Sequence, residues 1–217
     1  MKDVSYKSVT FYINCPESFG AIFLKGDLFM NKKSENTKKL QRLTLAAVLS
    51  ALSLVLMATV RFPIFPAAPF YEMEFSDVPI LICSGLLGPV YSIVSLFIVC
   101  LVQTLFFSSS SGFIGFVMHF VSSGLMIIVV YLVRKAVKGF KGIILSDVCG
   151  VIIMTLVMIP MNMWLVSEFM NIDAKGFIEG FLWVCVAFNL IKATSNVVLY
   201  TLLTPKILKE KLLKVSE

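Results

Sequence analysis

Asn189 and Lys192 stand three residues apart within the apolar stretch Phe177–Leu203, on one face of a helix. A lysine near the middle of an apolar span costs about 2.5–3.5 kcal/mol even on a lenient insertion scale, so it needs a partner or an aqueous cavity. An amide beside an ammonium supplies donors and an acceptor, which suits a polar heterocycle bearing carbonyl groups. The competing reading is a helix–helix contact. Snorkelling fits poorly so far from either end of the stretch, and ligand contact is the preferred role.

Other polar groups lie at comparable depth. Asn162 follows Pro160 in the preceding apolar stretch and is a second amide that could face a cavity. The segment SSSSGFIGFVMHF contains Gly112 and Gly115, which permit close approach of a helix or a flat ring, with Phe113 counted beside them. His119 is the only histidine. With no carboxylate near it in sequence, it is expected to donate a hydrogen bond within the bundle rather than serve a proton relay or metal. The cysteines form no CxxC pair, and no metal or cofactor site is read from them.

The connection Arg61–Pro79, RFPIFPAAPFYEMEFSDVP, is unusual for a loop. Pro63, Pro66, Pro69 and Pro79 forbid continuous helix, while Phe62, Phe65, Phe70, Tyr71 and Phe75 are too aromatic for a solvated turn. Two readings stand: a lid folded over an external pocket, or an interfacial aromatic belt. Ser76-Asp77 is expected to cap the helix that follows. In the first apolar stretch, Ala47 and Ala51 form a small-xxx-small pair. It serves either internal packing or the docking of a partner subunit.

The elements that must carry these residues follow from composition. Of 217 residues, 58% are apolar and 15% charged, against roughly 25% charged in a soluble domain. The lipid bilayer must be the solvent. The net charge of +6 lies mostly in clusters flanking apolar runs, where it signals topology rather than nucleic-acid binding. No GxxxxGK[ST] phosphate loop is present, and Ser111 with His119 lacks the context of an intramembrane serine protease. The chain is read as a non-enzyme.

Basic clusters fall in the leader (Lys32 to Arg42), after the third apolar stretch (Arg134 to Lys141) and in the tail (Lys206 to Lys214). The remaining connections are mainly acidic, so the positive-inside rule puts the basic clusters in the cytoplasm. An even number of crossings must then separate leader and Arg134, yet only three stretches are visible. Asp77–Phe107 resolves the conflict. As one helix it would run about 46 Å against a bilayer core of ~30 Å, and Gly88-Pro89 interrupts it. The expected fold is an all-α integral membrane protein of six transmembrane helices, both termini cytoplasmic, with a short second helix broken from the third at Gly88-Pro89.

Residues 1–29 contain no long apolar run, and Met30 opens a conventional leader. Lys25-Gly26-Asp27 fits codons that would form a ribosome-binding sequence ahead of Met30. Segment 1–29 is therefore expected to be a mis-called start or a disordered extension. Residues 30–42 form a basic cytoplasmic leader, 43–209 a membrane substrate-binding domain and 210–217 a cytoplasmic tail.

Taken together, EFSDVPILI, GLLGP, SGFIGFVMHF and FNLIK resemble the riboflavin-specific S components of energy-coupling factor (ECF) transporters, over about Leu43 to Lys209. The resemblance implies six helices with cytoplasmic termini in the cell membrane. It implies riboflavin, as transported ligand, in an outward-facing pocket closed by the first loop. Asn189 and Lys192 would contact the flavin, and the loop would contribute Tyr71, Met73 and Glu74. Ala47 and Ala51 resemble the AxxxA surface by which S components dock on a transmembrane coupling protein. That protein and two ATPase subunits are the implied partners. His119 is a further candidate substrate contact; relatives usually carry Asn there, and the departure would mark altered affinity or a related substrate. Two other readings remain: an S component for another small vitamin or precursor, such as pantothenate or a pyrimidine, and a non-transporting membrane scaffold.

Overall fold

The computed structural model describes residues 17–65, 71–106, 112–170 and 173–209. Pro66, Pro69, Phe70 and Ser111, singled out above, lie outside them. The chain divides into two compact units, Met1–Leu40 and Gln41–Glu217.

The elements are α1 (Glu17–Thr59), β1 (Phe62–Pro63), β2 (Glu72–Met73), α2 (Asp77–Leu87), α3 (Pro89–Phe106), α4 (Gly112–Ala136), α5 (Phe140–Met170), α6 (Ala174–Gly180) and α7 (Leu182–Lys209). Among the described residues, five segments are long and apolar enough to cross a membrane: Glu35–Thr59, Pro89–Phe106, Gly112–Ala136, Phe140–Trp164 and Leu182–Thr204. Asp77–Leu87 is a shorter apolar helix.

The break between α2 and α3 lies at Gly88, whose φ of 93° is costly for any residue with a Cβ. Its N–H still bonds Ser84 O at 3.1 Å, closing α2, and Pro89 opens α3, where its missing N–H is no loss. A second break was not expected. The stretch Phe177–Leu203 is interrupted at Phe181: the short α6, whose Asp173 cap accepts from the Gly176 N–H at 3.0 Å, ends at Gly180, and α7 begins at Leu182.

The helices invert the pattern of a soluble bundle. On α7 the buried stripe is Phe188, Asn189, Lys192, Ala193, Asn196, Val197 and Tyr200, at helical spacing. Leu190, Ile191, Val198 and Leu202 stand exposed on the other faces. The same holds elsewhere: Ser53, Ser92, Ser95, Ser122 and Ser123 are buried while Val90, Phe106 and Trp183 are exposed. Apolar side chains outward and small polar ones inward is what a hydrocarbon solvent selects, since polar groups there must be satisfied within the protein. Ser50 and Ser122 do so by bonding their own helices, to Ala46 O and Met118 O.

The apolar core joins Ala46 and Leu49 of α1, Ile80 to Cys83 of α2, Leu96, Val99 and Cys100 of α3, Met126, Ile127 and Val130 of α4, Met154 of α5 and Ala193, Val197 and Tyr200 of α7. Between α1 and α2 the chain folds back as an antiparallel β-hairpin, Phe62 opposite Met73 and Pro63 opposite Glu72. Arg61 closes it through an ion pair with Glu72.

Candidate functional site

The hairpin delivers its C-terminal end into the bundle. Glu72 is partly exposed, but Tyr71, Met73 and Glu74 are buried at 4%, 3% and 4% exposure. Glu74 and Lys192, 118 positions apart in sequence, meet at 2.9 Å between Oε1 and Nζ. This supplies the partner that Lys192 requires. Burial by itself would raise the Glu74 carboxyl, but Lys192 and His119 outweigh it and hold the group below the usual carboxylate range.

Tyr71 sits beside this pair. Its hydroxyl donates to Asn162 Oδ1 at 2.9 Å, and its ring stacks on Phe188 with centroids 4.9 Å apart and planes 25° from parallel. Asn162 in turn donates Nδ2 to Met158 O at 2.7 Å, within α5. A loop tyrosine, a mid-helix amide and an α7 aromatic are thus fixed together, and burial raises the Tyr71 phenol well above its ordinary range.

Asn189 is fully buried, and its Nδ2 donates to Cys185 O at 2.8 Å. A carbonyl can only accept, so the amide orientation is determined, and Oδ1 points away without a partner. Asn196 Oδ1, on the same stripe of α7, is likewise buried without a partner among the described residues.

Sequence reasoning missed the other half of the cluster. Asp77, expected to help cap α2, places Oδ1 3.0 Å from His119 Nε2 and Oδ2 3.3 Å from Asn196 Nδ2. Ser76 holds the cap position, but its hydroxyl makes no capping bond. His119 is not an isolated bundle histidine either: Gln103 Oε1 lies 2.7 Å from its Nδ1, and Glu74 Oε1 3.7 Å away. Two carboxylates therefore face two nitrogen bases, a balance that allows four ionisable groups to be buried together. Asn196 continues the Asn189–Lys192 stripe one turn on, a signal present in the spacing. Asp77 and Gln103 carried no comparable signal, because only the tertiary fold brings α2 and α3 to His119.

Not every expected residue joins the cluster. Phe113 is 73% exposed and stacks on Phe116 at 5.8 Å. Gly112 has φ of +46° at the start of α4, and a Cβ there would meet nothing within 4 Å, so it permits a turn rather than a close approach. Gly115 is half-buried one turn before His119. Ala47 and Ala51 are exposed on α1, opposite the buried Ala46, Leu49, Ser50 and Ser53.

Apolar helices with outward-facing hydrophobic surfaces, enclosing charged and amide groups beneath a re-entrant hairpin, define an integral membrane protein with a sequestered polar site. The chain belongs to the family described as ECF transporter, substrate-specific component, whose profile matches residues 41–204. Its role is that of a substrate-binding S subunit, not an enzyme, and S components pair with an ECF module. It is 29% identical over 195 residues to a Streptococcus thermophilus protein named riboflavin transporter RibU, covering 86% of this chain and 90% of that one. Among solved structures it is similar to the S component of a bacterial ECF transporter, with TM-score 0.69 and 24% identity over 79% of this chain and 97% of the other.

Proposed function

We propose that this S subunit captures riboflavin from outside the cell. The buried Asn189 Oδ1 and the Lys192 ammonium, about one turn apart on the same face of α7, carry this reading. A ligand that satisfies both must present an N–H donor next to a carbonyl acceptor, the edge of a flavin's pyrimidinedione ring. Tyr71 and Phe188 offer aromatic faces for the rest of the tricycle. The name carried by the Streptococcus thermophilus relative supports the same ligand.

In this reading the hairpin is the lid, and Glu74, Met73, Tyr71, Asn162, Asn189 and Lys192 form the pocket beneath it. The segments Asp77–Leu87 and Pro89–Phe106 complete six helices, with both termini and the Arg134–Lys141 connection in the cytoplasm. A transmembrane coupling protein and two ATPase subunits supply the energy, docking on the exposed Ala47/Ala51 face of α1 in the cell membrane. The test is copurification. Protein from flavin-replete cells is expected to be yellow, and the stripped protein to quench riboflavin fluorescence at an equimolar end point. A colourless protein that never quenches added flavin would refute the assignment.

A further inference from the structure

A cavity of about 360 Å³ opens far from the charged cluster, lined by Ile82, Ser84, Gly85 and Leu86 of α2, Tyr131, Arg134 and Lys135 of α4, and Tyr200 and Thr204 of α7. His119 and Arg134 are separated by about 22 Å along α4, and Lys192 and Thr204 by about 18 Å along α7, so the two sites lie near opposite ends of these helices. The cavity follows from the shortness of α2. Its 11 residues span only about 16 Å, so the chain turns back at Gly88, and the cavity lies beside the last residues of α2, where α4 and α7 are braced by α5.

The walls are chemically specific. Arg134 is held rigidly: Nε donates to Ser146 Oγ at 2.9 Å, Nη2 to Asp147 Oδ1 at 2.8 Å and to Thr201 Oγ1 at 2.6 Å. Its guanidinium lies 4.2 Å over the Tyr200 ring. Tyr200 fits there because residue 85 is glycine, where a Cβ would stand 2.8 Å from the tyrosine oxygen. One charge of Arg134 is balanced by Asp147, and the exposed Lys135 adds a second cation. Among the described residues no carboxylate lines the cavity. The hydroxyls of Ser84 and Tyr131 and the apolar side chains of Ile82 and Leu86 complete the lining, while the Thr204 hydroxyl donates to Tyr200 O at 2.6 Å.

From this geometry we infer that the cavity is a binding site for a phosphate group carried on an apolar body, the chemistry of an anionic phospholipid headgroup. Basic pockets between helices on the positively charged side of a membrane protein bind such groups, and the apolar side chains favour acyl chains over a free anion. The site is independent of the ligand cluster and of the transport reading.

The test titrates phosphatidylglycerol, phosphatidylcholine and inorganic phosphate into the delipidated full chain in detergent. Bound lipid is counted by native mass spectrometry, and stabilisation is read by thermal unfolding. Selective binding of one phosphatidylglycerol is expected. Lys135→Gln should weaken it about fivefold and Lys135→Glu further. Lys141→Glu alters net charge outside the cavity lining and should leave it unchanged. Competition by millimolar phosphate would assign recognition to the phosphate group alone, keeping the site but making a free phosphate compound its source. Equal binding of both lipids, or equal weakening by Lys135→Glu and Lys141→Glu, would reduce the attraction to diffuse surface charge and overturn the site.

Discussion

Lys192 is shared between the lid and the proposed ligand, and a mutant cycle can separate the two roles. At 2.9 Å from Glu74, the gross Coulomb attraction is about 6 kcal/mol at an effective dielectric of ~20. Desolvation offsets much of it. Removing one partner, however, leaves a buried charge uncompensated, which costs about 3–5 kcal/mol. Lys192→Met should therefore destabilise the protein despite being the better membrane residue. The loss should fall at the low end, because His119 lies 3.7 Å from the same carboxylate oxygen and takes up part of its charge. Glu74→Met/Lys192→Met removes both charges and should return thermal stability in detergent close to wild type or above it. Affinity behaves differently. If the ammonium donates to a ligand carbonyl, its loss costs about 1.5–3 kcal/mol, or roughly ten- to a hundredfold in Kd. The double variant should be stable yet bind riboflavin weakly by fluorescence quenching. A double variant with wild-type affinity would make Lys192 purely structural. A Lys192→Met protein as stable as wild type would deny the ion pair itself.

Four further outcomes follow from the same contacts. Tyr71→Phe keeps the stack on Phe188 but loses the bond to Asn162, and should cost about 0.5–1.5 kcal/mol, seen as a several-fold faster flavin release. Ala47→Leu with Ala51→Leu should abolish uptake while leaving flavin binding intact, since both residues face outward; loss of binding as well would place them in internal packing. In intact cells an impermeant thiol reagent should label a cysteine placed near Asp173 and not one near Lys138, and the reverse pattern would invert the topology. Because the Glu74 carboxyl is held below its ordinary range, its contribution should be fully present above about pH 4.5 and fall as pH drops through the depressed value. Glu74→Gln should flatten that acid limb of the thermal-stability profile.

The apolar helices were legible in the sequence because they depend on local quantities: the length of apolar runs and a Gly-Pro break. The break appears where expected, with Gly88 in a conformation that favours glycine. The interruption of Phe177–Leu203 was hidden, because it is a single residue, Phe181, between two helices with no proline to mark it. In the site, Lys192 announced its need for a partner, but nothing in its neighbourhood identified Glu74, 118 positions away. Asp77 was misread for a related reason. An acidic residue at a helix start has a sufficient local explanation, so its use by His119 and Asn196 becomes visible only once α4 and α7 are in place.

The cluster also bears on how the proposed capture site could hold ligand and hairpin together. Lys192 has three N–H donors, and Glu74 accepts one. A ligand carbonyl can therefore join the lysine without displacing the lid, so ligand and hairpin are held by one ammonium rather than competing for it. Asn189 adds an acceptor whose amide is already fixed by Cys185 O. With its donors oriented before the ligand arrives, the site loses little ordering entropy on binding. Each lid contact then favours retention, and by linkage the ligand favours the closed lid to the same extent. In the proposed reading, pairing two carboxylates with two nitrogen bases keeps four ionisable groups tolerable beneath the hairpin with the ligand bound.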